Sequence, residues 1–93
     1  MPGVNRLGPA FDAAVYELEV CLIPDDRRRS QRANARRLID WVFNGRKGIT
    51  PSDFTPFERN TAREAVDCGL EHAYSDIYRH EIPEAIQERL REL

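Results

Sequence analysis

An all-α fold, a compact bundle of three to five helices, is what the 93-residue sequence predicts. Three observations carry it. Apolar residues recur at three- and four-residue intervals, helix-start and helix-stop residues punctuate those runs, and no segment alternates polar and apolar side chains as a half-buried strand would. Residues 1–93 suit one domain with one core, large enough to fold without obligatory disulfides or metals.

The first helix is read from Phe11, Ala14, Val15, Leu18 and Leu22, which share one face between Pro9 and Ile23. Pro24 stops it. Residues 1–8, interrupted by Pro2, Gly3 and Gly8, are expected to be a flexible N-terminal segment. The second helix starts from a cap at Asp25 or Asp26, with Ser30 the rival start, and stops at Asn44-Gly45. Gly48 to Phe54 form a connector able to hold one turn capped by Thr50. Thr55-Pro56-Phe57-Glu58 then combines an N-cap threonine, a proline at the first helical position and a glutamate three residues after the cap. The third helix begins there and is read as far as about His80, with a bend or break near Gly69. Ile82-Pro83 restarts a short fourth helix through Ala85, Ile86, Leu90 and Leu93. The expected core is Phe11, Val15, Leu18, Leu22, Leu38, Val42, Val66, Leu70, Ile77 and Ile86.

The formal charge is −2, which argues against a general nucleic-acid binder, but it is unevenly spread. Residues 25–47 carry eight basic side chains against Asp25, Asp26 and Asp40, for +5, whereas residues 1–24 sum to −2 and residues 48–93 to −5. Thirteen of the fourteen basic residues are arginine, a skew that arginine-rich codon usage explains as readily as guanidinium chemistry. No run approaches the ~20 apolar residues of a membrane span, and no signal-peptide pattern is present. A cytoplasmic address is therefore expected, with Cys21 and Cys68 as buried, reduced thiols.

On a helical wheel, Arg29, Arg32, Arg36 and Asp40 fall within a narrow arc opposite Ala35, Leu38 and Val42. Together with Arg28 and Arg37 they make a basic face. Such a face can follow phosphates, meet an acidic protein, or pair with the acidic third and fourth helices of this chain. A helix-turn-helix built on residues 33–44 and 55–70 would have a connector of about ten residues instead of three to four. Leu38, Ile39, Trp41, Val42 and Phe43 crowd the end of the second helix, so that Trp41 and Phe43 are candidates for a partner interface as well as for the core.

In the third helix, Ala62, Ala65, Val66, Gly69 and Ala73 form a small-residue stripe, suited to close helix approach. Ala62, Ala65, Gly69 and Ala73 are thus a candidate homodimer seam, in competition with a contact inside the chain. Cys68, His72, Asp76 and His80 recur every four residues and are weak metal-ligand candidates, too far apart along a helix to meet at one ion. The expected alternative is an exposed line in which Asp76 pairs with a histidine. No metal and no cofactor is expected. There is no phosphate loop, nucleophile elbow or zinc-protease motif, so catalysis is not expected. The predicted function is a non-catalytic protein-interaction module, a regulator, adaptor or inhibitor, with a homodimer as one assembly. The alternative is a nucleic-acid-binding regulator using the arginine-rich helix.

Overall fold

A computed structural model describes residues 6–24 and 26–93, and within them the fold is all-α. The first helix, α1, spans Leu7–Tyr16 and runs directly into a π-helical segment, Glu17–Leu22. Leu7 and Gly8 therefore belong to α1 and not to a loose leader, while residues 1–5 of that expected segment lie outside the described residues. The π segment ends where Ile23 donates its N–H to the Leu18 carbonyl at 2.9 Å. Residues five apart align in a π turn, so Ile23 comes to rest beneath Leu18. Ile23 is buried and Leu22 only half-buried, which corrects a core face drawn with α spacing alone.

A 3₁₀ turn at Asp26–Arg28 leads into α2, Arg29–Asn44. Its N-cap is Arg28, which makes no side-chain cap bond; Ser30 is inside the helix and is not its start, Asp26 opens the preceding 3₁₀ turn and does not cap α2, and Asp25 lies outside the described residues. Its C-terminal stop is as expected, with Gly45 left-handed at φ 66° and its N–H on the Trp41 carbonyl. Arg89 reaches across from the last helix and donates Nε to the Val42 carbonyl at 2.8 Å, satisfying a further carbonyl of that end.

The connector holds a 3₁₀ turn, Pro51–Asp53, after Thr50, without a Thr50 side-chain cap. α3, Pro56–Ala73, starts with a complete capping box: Glu58 N–H donates to Thr55 Oγ1 at 3.1 Å and Thr55 N–H donates to Glu58 Oε1 at 2.8 Å. It passes unbroken through Gly69 and ends at Ala73, seven residues short of His80. Tyr74 turns to extended backbone at φ −121° and buries its ring, while the segment that follows folds back as a turn and a 3₁₀ stretch at Arg79–Glu81. Ile77 is consequently 76 % exposed and is not a core residue. Arg6 helps hold this segment, ion-pairing with Glu81 and lying 4.2 Å from the Tyr78 ring centroid. α4, Glu84–Arg91, closes the bundle through Ile86 and Leu93.

The core lies where α1, α2 and α3 meet. Ala10, Ala14, Leu18, Leu38, Ile39, Val42, Ala62, Ala65 and Val66 are fully enclosed. Phe11, Val15 and Leu22 pack against its margin. The approach of α1 to α3 is set by Gly69, because a Cβ there would sit 2.3 Å from the Ala10 carbonyl oxygen and 3.0 Å from Ala14 Cβ. The small-residue stripe is thus filled from within the chain. Ala62, Ala65 and Gly69 offer no surface for a dimer seam, and Ala73 at the helix end is half-buried against the core.

Candidate functional site

The basic helix sits between two neighbours, and that position sorts its arginines. On one flank, Phe43 packs edge-on to Phe11 of α1, with ring centroids 5.8 Å apart. Arg32 turns to this flank and donates Nη1 to the Ile23 carbonyl at 3.0 Å, so it caps the π segment instead of joining an exposed row. Arg36 leans the same way and pairs with Glu19 at 3.2 Å. On the other flank, Asn34 donates to Glu58 Oε2 of α3 at 2.7 Å. The guanidinium of Arg37 lies 5.6 Å from the Phe54 ring centroid, and that of Arg28 lies 5.0 Å from the Phe57 centroid. Arg28, Arg36 and Arg37 thus do not make the pairing with the third and fourth helices that was one of the three uses open to this face: Arg36 finds its carboxylate in the π segment, and Arg28 and Arg37 find aromatic rings.

Facing outward along α2 are Arg29, Ser30, Ala33, Arg36, Arg37 and Asn44, preceded by the exposed Arg28, with Asp40 half-exposed. Both oxygens of Asp40 are engaged, Oδ1 by Asn44 Nδ2 at 2.6 Å and Oδ2 by Arg46 at 3.7 Å. Phe11, Ala33, Arg36, Arg37, Asp40 and Arg46 line a shallow depression of about 360 Å³ on this outer arc. Trp41 and Phe43, candidates for an interface, are instead core side chains at 9 % and 7 % exposure. Crowding of apolar residues at that helix end is resolved by covering it on three sides. The rings that do reach the surface beside the arginines are Phe54 and Phe57, which the sequence pattern did not single out. Their signal was the turn Pro51–Asp53 and the Thr55-Pro56 helix start, which fold the connector back along α2.

The remaining candidates do not converge. Cys68 and His72 are on α3, but the helix ends before Asp76 and His80, so the four-residue spacing no longer describes a line. Asp76 pairs with Arg79 at 3.2 Å and not with a histidine. Among the described residues no three His, Cys, Asp or Glu side chains come together as a metal site. Both cysteines are free, but Cys21 is exposed and Cys68 half-exposed, which corrects the expectation that they are buried. Burial, and then the Glu17 carboxylate, hold the Cys68 thiol above its ordinary pKa, the opposite of what a reactive thiolate needs. Among the described residues no helix is long and apolar enough to cross a membrane. Set against known families, characterised proteins and solved structures, the chain matches none.

Proposed function

We propose that the chain is a non-catalytic protein-interaction module that recognises an acidic protein partner through the outer arc of α2. The observation carrying this reading is the pair of aromatic-backed arginines, Arg28 over Phe57 and Arg37 over Phe54, both exposed to solvent. A ring beneath a guanidinium restricts a side chain that would otherwise lose about 2 kcal/mol of rotamer entropy on docking. Arginine and aromatic residues are also the types that dominate binding energy at protein interfaces. The module is cytoplasmic in this reading, where an exposed Cys21 remains a thiol. Any homodimer uses a surface other than the stripe of Ala62, Ala65 and Gly69.

A nucleic acid is the second reading, favoured by the same row of guanidiniums. Asp40 in the middle of the arc, Glu19 at its edge and a net charge of −2 weigh against it. Capture from the native cell with tagged wild-type chain and with the Arg28→Gln/Arg29→Gln/Arg37→Gln variant tests the proposal. The expected result is a protein partner retained by the wild type and lost by the variant, whose far-ultraviolet circular dichroism is unchanged. Retention by both would overturn the assignment of the arc. A nuclease-sensitive partner whose binding falls steeply with salt would replace the protein reading with the nucleic-acid one. A turnover activity abolished by one substitution would contradict the non-catalytic reading.

A further inference from the structure

Building on the interaction reading above, we infer that the buried Glu58 is the positioning residue of the arginine surface: by tying α2 to the start of α3, it holds Phe54 and Phe57 beneath Arg37 and Arg28. A carboxylate at 5 % exposure needs its oxygens satisfied inside the protein. Glu58 divides them between two elements. Oε1 accepts the Thr55 N–H at 2.8 Å, which closes the capping box, and Oε2 accepts from Asn34 Nδ2 of α2 at 2.7 Å. One side chain therefore fixes the helix start and anchors it to the basic helix.

Both rings belong to the backbone that this bonding shapes. Phe54 immediately precedes the Thr55 cap and Phe57 immediately precedes Glu58, so the capping box sets the direction in which each leaves the chain. On α2, Asn34 lies one turn before Arg37, on the same side of the helix. Arg37 then lies 5.6 Å from the Phe54 centroid and Arg28 lies 5.0 Å from the Phe57 centroid. These guanidiniums are exposed and reach their rings on long stems, and contacts of that kind are too weak to fix a helix start by themselves. The bond from Asn34 to Glu58 is short and charge-assisted, and its acceptor is enclosed. Burial closes Glu58 to a docking partner, so it acts on recognition only through the rings.

Two variants that leave the net charge unchanged supply the test. Asn34→Ala removes the donor and leaves Oε2 unpaired, whereas Asn34→Asp/Glu58→Gln reverses the bond, the introduced amide donating to the introduced carboxylate while its oxygen keeps the Thr55 N–H. The first readout is the ring-current shift of the Arg28 and Arg37 side-chain protons at neutral pH. It is expected to collapse in Asn34→Ala and to be retained in the double variant and in Arg89→Ala, which removes a bond at the other end of α2. The second is fluorescence anisotropy at low salt with a labelled polyglutamate peptide. Its affinity should fall about five- to tenfold in Asn34→Ala and change less than about twofold in the double variant, since arginines freed from their rings must be ordered on docking. Ring-current shifts that survive Asn34→Ala, or that collapse equally in Arg89→Ala, overturn the inference. Failure of the double variant to keep them overturns it too, whether or not Asn34→Ala folds, as does a peptide affinity unmoved by their collapse. A wild-type chain that does not bind the peptide contradicts the acidic-partner reading itself, while the shifts still judge the positioning by Glu58.

Discussion

Gly69 and Glu58 show how single residues set the geometry on which the surface depends. The Gly69 site has no room for a side chain, because the obstacle is the Ala10 backbone oxygen, which cannot swing aside. Gly69→Leu is expected to destabilise the folded monomer by about 3 kcal/mol in urea denaturation. A dimer that dissociated first, with the monomer's stability unchanged, would contradict the internal use of the stripe. Gly8 lies in the first turn of α1 with open space where a Cβ would stand, so Gly8→Ala should instead stabilise by about 0.5 kcal/mol. Glu58 is 5 % exposed, and burial alone would raise its pKa; hydrogen bonds from Thr55 and Asn34 overcome this and hold it below the ordinary 4.5. A depressed folded value means that its contribution is present above pH 4.5 and lost as pH falls through the folded value. Acid titration of stability should show that loss in the wild type and not in Glu58→Gln. At this scale the sequence was only partly legible. Wheel positions separate Ala35, Leu38 and Val42 from the arginines, but they do not say that Arg32 will commit its charge to the Ile23 carbonyl, a contact between elements.

Helix ends show the same division at the next scale. Asn44-Gly45 and Thr55-Pro56-Phe57-Glu58 were readable because their bonding partners are local: the left-handed glycine and the capping box each close within four residues. The end of α3 was not readable, since the residues beyond Ala73 continue a plausible helical spacing. What ends the helix is tertiary, the burial of the Tyr74 ring and the clasp of Arg6 on Tyr78 and Glu81. The π segment escaped for a similar reason, because five-residue register is specified by packing of Leu18 and Ile23 and not by a turn residue. Two substitutions probe these ends. Thr55→Ala should cost about 1 kcal/mol by removing the cap, and it should also loosen Phe54 and Phe57, the rings beneath the arginines. Arg89→Ala should cost about 1–2 kcal/mol, because it leaves the Val42 carbonyl without its charged donor. Thermal denaturation monitored at Trp41 reads both.

The whole molecule measures 43 × 26 × 18 Å, and its thinnest dimension is less than two helix diameters of about 10–12 Å. A body so thin leaves each helix a solvent-facing side, and what distinguishes α2 is the chemistry of its side. Exposed apolar groups exist elsewhere, notably Tyr16 at the end of α1 and Val20 in the π segment, and a cleft between α3 and α4 is bordered by Arg63, Asp67, Arg79 and Arg91. Neither has two exposed guanidiniums lying over aromatic rings. The charge asymmetry along the chain, +5 over residues 25–47, was the part of this surface visible in the sequence. Its aromatic backing was not, since Phe54 and Phe57 join Arg37 and Arg28 only when the connector folds back. Mapping amide chemical shifts of the labelled chain on addition of its captured partner tests the central claim most directly. The account predicts that the perturbations concentrate at residues 28–37 and 54–57; perturbations centred on Tyr16 and Val20, or on the α3–α4 cleft, with residues 28–37 unchanged, would contradict it.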